Sequence, residues 1–321
     1  MSSVNVAITG VGSYLPDRIV TNHDLAKIVD TSDEWIRSRS GISQRHFAAD
    51  DQATSDLAVI AAERALANAG LGAEDIDLII VATVTPDHTF PSTAVYVQAK
   101  LGAPAGCAYD VSAACAGFIY GMAAANNAIV LGDARNALVI GAEKLSCFLD
   151  WNDRGTCVLF GDGAGAVVLS GAPAGGERRG VLATYLSADG RLADNLYADG
   201  GPSTTGTVGK VRMNGREVFR HAVDKISDAV VKVSDRAGVR RNAIDWFVPH
   251  QANIRIIEAC GKKLDIDPAK VIVTIEKHGN TSSASIPLAL DEAIRDGRIK
   301  RGDLVALATL GGGFAWGSAL V

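Results

Sequence analysis

No two cysteines in this 321-residue chain are spaced C-x-x-C, and the five present (Cys107, Cys115, Cys147, Cys157 and Cys260) are an odd number. That pattern argues against a disulfide framework and against a cysteine-type zinc site. No H-E-x-x-H or similar ligand spacing occurs, so no metal is implied. Positive charge is not in excess: 31 Lys and Arg against 36 Asp and Glu leave a formal net charge of −5. Such a balance argues against a nucleic-acid-binding face, while a local basic patch stays open. No apolar run approaches the roughly 18 residues of a membrane span. Met1 to Ala7 also lacks the basic start, apolar centre and cleavage site of a secretion signal. The expectation is a cytoplasmic protein with no membrane and no nucleic-acid partner.

What is present is an ordinary globular composition, 48% hydrophobic and 21% charged, in a length that suits two fused units. The short apolar runs "DLIIVATV", "NALVIGAE", "GAVVLSG", "DWFVPH" and "DLVALATL" are bounded by turn residues, as buried strands are. Helical patterns lie between them. Ser55 to Ala69 is Ala-rich and amphipathic, and Ile119, Met122, Ala123, Ile129 and Val130 fall on one helical face that stops near Gly132-Asp133. The alternation predicts α/β layers.

A weak repeat organises these pieces. Asp77 precedes Cys115 by 38 residues and Leu138 by 61, while Asp245 precedes Asn280 by 35 and Leu304 by 59. The match predicts two similar halves, 1–170 and 180–321, with Cys115 and Asn280 in equivalent places. The Gly/Pro-rich "SGAPAGGERRG", Ser170 to Gly180, is the natural joint. The polar stretch Ser187 to Lys210 is longer than an idle loop usually is and is a candidate cover for a substrate channel.

Cys115 sits in "DVSAACAGF", between small residues at a predicted strand-to-helix turn. There a helix N-terminus favours a thiolate and free N–H groups can serve an oxyanion. A buried inert cysteine is the competing reading. His250 in "VPHQANIR" follows a strand that Pro249 ends, the usual place for function in α/β folds. Asn280 in "KHGNTSSAS" repeats the small-residue context of Cys115; an ordinary turn and N-cap would explain it equally. The glycines of "LGGGFAWGSA" permit backbone N–H groups to approach a ligand, or form a tight turn. "GVGSYLP" lacks the third glycine of a dinucleotide site, and "FGDGAGAVVL" lacks the Lys-Ser/Thr ending of a phosphate loop.

Together "DVSAACAGF", "VPHQANIRII", "KHGNTSSAS" and "GGGFAWGSA", with "TSDEWIRSRSGI" and "DRGTCVLFGDGAGA", resemble β-ketoacyl-acyl carrier protein synthase III over nearly the whole chain. This is the initiating condensing enzyme of type II fatty acid synthesis. The resemblance implies a thiolase-like fold, two duplicated halves in an α/β/α/β/α arrangement, the first carrying the nucleophile and the second the His and Asn. It implies a triad of Cys115, His250 and Asn280, with Cys115 and Gly312 supplying the oxyanion N–H groups. It assigns coenzyme A contacts to Thr31, Trp35, Arg39 and Arg154, and carrier-protein contacts to Arg220, Arg255, Lys262 and Lys263. Phe90 would close the acyl pocket of a homodimer partner. Leu310 stands where some acetyl-using members carry an aromatic side chain, which leaves the primer open. The implied substrates are acetyl-CoA or another short acyl-CoA and malonyl-acyl carrier protein, with no cofactor. A related condensing enzyme of secondary metabolism, an acyl-CoA thioesterase and a noncatalytic binding homologue are the competing functions.

Overall fold

A computed structural model describes residues 4–174 and 179–321; the middle of the expected joint lies outside them. The strands of the first sheet are β1 (Val4–Tyr14), β4 (Leu78–Ala82), β5 (Cys107–Val111), β6 (Asn136–Glu143) and β7 (Gly163–Pro173). They run in the order β1-β7-β6-β4-β5. Between β1 and β4 lie a ribbon of β2 (Arg18–Thr21) and β3 (Gln44–Phe47), two short helices, α1 (Asn22–Leu25) and α2 (Asp33–Ser40), and α3 (Thr54–Ala69). The helices α4 (Thr93–Leu101) and α5 (Gly117–Leu131) follow β4 and β5.

The second half repeats this plan. Its sheet contains β8 (Ala183–Ala188), β11 (Trp246–Pro249), β12 (Val305–Gly311) and β13 (Ala315–Leu320) in the order β11-β12-β13-β8. Read from β8, the antiparallel, antiparallel and parallel pairings copy those of β1-β7-β6-β4. The place of β5 is held by an isolated parallel bridge between Phe247 and Val271. A small ribbon of β9 (Leu196–Ala198) and β10 (Val211–Met213), then α6 (Gly215–Ala237), α7 (Ile254–Leu264), α8 (Ile275–His278) and α9 (Ser285–Arg295), complete the half.

Strand alternation decides the layers, since successive side chains point to opposite faces. Leu78 and Ile80 of β4 face inward to Phe118, Ile119, Met122, Ile286 and Leu290 on α5 and α9. Ile79 and Val81 face outward to Leu57, Ala58, Ala61 and Ala62 on α3. In the second sheet Phe247, Ala306 and Ala308 pack outward against Ile226, Val230 and Val233 of α6. The arrangement is therefore the expected α/β/α/β/α. Helix α5 is buried on most of its surface, and only its C-terminal end emerges. Val130, assigned to the core face by periodicity, is 38% exposed there.

Two expectations are corrected. The window Ala114–Leu131 is long and apolar enough to cross a membrane, with mean hydropathy 1.4, yet it is the central helix between two sheets. The register of the repeat is also different. Asp77 accepts a hydrogen bond from Asn136 N (3.0 Å) and Asp245 from Leu304 N (2.9 Å), each tying the entrance of one parallel strand to the next. Counted from these anchors, position +38 is Cys115 in one half and Ser283 in the other. Both lie in 3₁₀ turns, Ala114–Ala116 and Ser282–Ala284, opened by a non-glycine residue of positive φ, 46° at Ala114 and 51° at Ser282. The equivalent of Cys115 is thus Ser283. Asn280 stands three residues earlier, because a match based on small residues tolerates a slip that hydrogen-bond register does not.

Candidate functional site

The two 3₁₀ turns meet where the halves meet, and that junction creates the site. Cys115 is 7% exposed at the N-terminal end of α5. Its carbonyl accepts from Thr309 Oγ1 at 3.0 Å. The end of β12 comes so close that a Cβ on Gly311 would lie 2.5 Å from Cys115 N, so only glycine fits there. Burial pushes the Cys115 thiol up to about 11, against the opposing hydrogen bond of Ser282. The expectation of a standing thiolate is corrected: with so little water at the sulfur, the resting group is the neutral thiol.

His250 follows β11, as Pro249 suggested, and is 3% exposed. Burial lowers its pKa to about 3, so the imidazole is neutral. Its Nδ1 lies 2.6 Å from Ser285 Oγ. The same Oγ accepts from Gln251 N at 3.4 Å; when its own proton goes to Nδ1, the ring proton sits on Nε2. Gln251 locks this loop, its Oε1 accepting from Thr274 N and Ile275 N while Nε2 donates to the carbonyls of Pro249 and Ile272. Asn280 Oδ1 accepts from Ser282 N at 2.9 Å, which turns the amide NH₂ outward as a donor. Its backbone is pinned to the first half, N to Leu159 O and O to Gly161 N.

Cys115, His250 and Asn280 line one cavity of ≈ 460 Å³ together with Trp35, Arg39, Arg255, Phe219 and Leu310. Cys115 also opens onto a wider cavity of ≈ 1370 Å³ lined by Thr83 to Thr89, Leu196, Ser282 and Gly312. The thiol therefore stands between an entrance and a second chamber. At the entrance Arg154 lies 5.0 Å and Arg39 6.0 Å from the Trp35 ring centre, and Arg154 Nη1 donates to Asp30 O at 2.9 Å. This clamp is shut, with no room for a base between Trp35 and Arg154. Thr31 Oγ1 is a buried hydroxyl without a partner among the described residues.

The four expected carrier-protein residues are all exposed, and their partners differ. Arg220 pairs with Glu217 and Lys263 with Asp224, while Arg255 donates to Ser38 O at 2.7 Å. Phe90 is 84% exposed on a loop outside both cavities, and Leu310 is buried. The polar stretch 187–210 is not a bare loop: it contains a 3₁₀ turn, Gly190–Asn195, and β9, and it lines the wider cavity from Leu196 to Val208. Gln251, Ser282, Ser285 and Gly311 lie within the quoted motifs, but the motifs gave them no role of their own; what they hold depends on contacts between the halves or with neighbouring loops.

Comparison with known proteins agrees with this geometry. The family described as 3-oxoacyl-[acyl-carrier-protein] synthase III matches residues 109–190, and its C-terminal counterpart matches residues 234–321. The β-ketoacyl-[acyl-carrier-protein] synthase III of Bradyrhizobium diazoefficiens is 56% identical, covering 100% of this chain and 99% of its own. Among solved structures, the 3-oxoacyl-[acyl-carrier-protein] synthase III of Aquifex aeolicus superposes with a TM-score of 0.93 at 49% identity, covering 98% of this chain and 99% of that one. The priming β-ketosynthase of the R1128 polyketide pathway gives 0.91 at 34% identity, covering 99% of this chain and 96% of that one. With its paired sheets, its buried cysteine at a strained turn and its likeness running end to end, the chain belongs to the β-ketoacyl-[acyl-carrier-protein] synthase III family of condensing acyltransferases.

Proposed function

We propose that the chain condenses a short acyl-CoA, acetyl-CoA or a somewhat longer primer, with malonyl-acyl carrier protein to give 3-oxoacyl-acyl carrier protein, CO₂ and free CoA, the step that initiates fatty acid synthesis. The observation that carries this reading is the grouping of Cys115, neutral His250 and Asn280 on one cavity behind an aromatic and cationic entrance. Trp35, Arg39, Arg154 and Thr31 hold the coenzyme. Arg154 swings off Trp35 so that a base can stack between an indole and a guanidinium plane.

Cys115 attacks the thioester carbonyl, and the acyl group is held on sulfur while CoA leaves. The N–H groups of Cys115 and Gly312 bind the oxyanion; loss of such a donor costs on the order of 10²–10³ in rate. Malonyl-carrier protein then docks on Arg220, Arg255, Lys262 and Lys263. The carrier is an acidic partner that this local patch attracts despite the net negative chain. His250 Nε2–H and the Asn280 amide donate to the malonyl thioester oxygen as CO₂ departs, stabilising the enolate that attacks the acyl carbonyl. A neutral imidazole is required for this, and burial supplies it. No cofactor enters, and the protein works as a homodimer in which Phe90 closes the partner's acyl pocket, with the two halves 1–170 and 180–321 as duplicated units.

Intact-mass measurement with peptide mapping tests the proposal. Acylation by short acyl-CoAs confined to Cys115, then discharged as 3-oxoacyl product on adding malonyl-carrier protein, is the expected result. An acyl-Cys115 that is only hydrolysed identifies a thioesterase, and absence of acylation with every primer overturns the reading. The relationship to a polyketide priming synthase makes the primer series worth extending beyond acetyl-CoA, although the fatty acid relatives are the more similar.

A further inference from the structure

An oxyanion hole built from the N–H groups of Cys115 and Gly312 draws one donor from each half of the molecule, Cys115 from the turn before α5 and Gly312 from the residue after β12. Such donors act only when both stand about 2.7–3.1 Å from the oxygen. The separation of β12 from the Cys115 turn must therefore be fixed. Thr309 of β12 is fully buried, and its Oγ1 donates to the Cys115 carbonyl at 3.0 Å. Two residues on, and so on the same face of the strand, a Cβ on Gly311 would lie 2.5 Å from Cys115 N and 3.0 Å from Ala116 N. Contact at Gly311 limits how near the turn can come, and the Thr309 hydroxyl holds it there.

Packing gives no reason for a hydroxyl at this place. Val305 and Leu307 precede Thr309 on the same face and belong to the apolar layer between the sheets. Valine has the shape of threonine without a group to satisfy, and a buried hydroxyl is destabilising unless it is hydrogen-bonded. The duplicated half supplies an internal comparison. Thr309 lies 64 residues after Asp245, and Gly141 lies 64 after Asp77, so the two are equivalents, as are Cys115 and Ser283. Strand pairing gives the same match, Ala137 of β6 beside Leu78 and Val305 of β12 beside Trp246. Gly141 meets the Ser283 carbonyl with no side chain at all: a Cβ there would lie 2.3 Å from that oxygen. The fold closes on this carbonyl without a hydroxyl in the half that lacks the nucleophile, and places one where the nucleophile stands.

We propose that Thr309 is a positioning residue: by holding the Cys115 carbonyl against β12 it sets the spacing of the Cys115 and Gly312 N–H groups, and so the fit of the oxyanion hole. It touches neither the substrates nor the reacting atoms. The inference rests on the reading of those two N–H groups as the oxyanion donors. Without the hydroxyl the turn and the strand end are free to separate, and a misplacement of about 1 Å costs on the order of 10²-fold in rate. The loss falls on each step that puts negative charge on the acyl oxygen, both the acylation of Cys115 and the attack of the enolate on acyl-Cys115. Binding of the coenzyme, whose proposed contacts lie at the entrance, is spared.

The test compares two reagents on Cys115, each followed by peptide mass. Iodoacetamide alkylates the sulfur at a saturated carbon and creates no oxyanion. p-Nitrophenyl acetate acylates it through one: the Sγ–C bond forms, the bond to nitrophenolate breaks and the thiol proton goes to solvent. In Thr309→Val alkylation keeps its wild-type rate, while acylation by the ester, and by acetyl-CoA at unchanged KM, slows by about 10²-fold. Thr309→Ser restores both acylations. Thr309→Ala removes the hydroxyl without setting a methyl against the carbonyl; it gives the same split and serves if Thr309→Val does not fold. Acylation at the wild-type rate in the folded variants, or equal slowing of alkylation and acylation, overturns the positioning role. The split with the ester but no acylation of wild type by any acyl-CoA leaves Thr309 in its role and refutes the condensing reading instead.

Discussion

Burial holds His250 neutral down to about pH 3, whereas in an unfolded chain a histidine takes up a proton near 6.5. The folded state thus binds fewer protons than the unfolded one between those values. Stability is full above about pH 6.5 and declines as pH falls toward 3, by up to about 1.4 kcal/mol per pH unit from this residue alone. Denaturant melts of wild type and His250→Asn at pH 7 and pH 5 check it, with the pH effect smaller in the variant. Ser285 acts on the same ring through Nδ1. Ser285→Ala frees the imidazole to change tautomer, and the expected result is a split: Cys115 acylation continues at near wild-type rate while condensation falls by about 10²-fold. Equal loss in both half-reactions would show that Ser285 serves packing alone.

Helices and strands set how closely the halves can approach. A Cβ on Gly141 of β6 would lie 2.3 Å from Ser283 O, so Gly141→Ala pushes the turn of residues 282–284 away from the first sheet and carries Asn280 with it. A loss of about 1–3 kcal/mol in stability, read by urea melts, should accompany a fall in condensation. Helix α7 carries Arg255, which lines the cavity that holds the triad, and Lys262 one heptad further along. Lys262→Glu should raise KM for malonyl-carrier protein several-fold, more at low salt than at high, and leave acylation by acyl-CoA unchanged. An effect on both substrates would place the carrier elsewhere.

Across the whole molecule, one sheet edge stands out. Strand β5 borders the first sheet with no further strand beside it among the described residues, and an exposed edge of this kind is ordinarily covered by another strand. Cys107 is exposed along it, and Phe90 is exposed on the loop before α4, whose first residues, Thr93 and Ala94, donate to Asp110 of β5. Sedimentation should find two copies, and Phe90→Ala should keep that mass while admitting longer acyl-CoAs to Cys115. A monomer with an unaltered chain-length profile would remove Phe90 from the pocket.

Local pattern was enough to read the strands and the two long helices that bracket the first sheet, because alternation and 3.6-residue periodicity report which face is buried without knowing what buries it. The motifs around Cys115, His250 and Asn280 were legible for a similar reason: each sits at the end of a strand among residues small enough to leave space. The membrane-like helix, the equivalence of Cys115 with Ser283, and the contacts of Ser285 with His250 and of Gly311 with Cys115 were not. Each depends on contacts between segments more than 30 residues apart. The state of the thiol belongs with them: the helix N-terminus that favours a thiolate is visible in the chain, but the burial that opposes it arises only when the two halves close around the sulfur. Sequence by itself determined the main strands and helices and singled out Cys115, His250 and Asn280 as candidates; tertiary structure decided their protonation and their neighbours, because desolvation and long-range hydrogen bonds exist only after the sheets have packed.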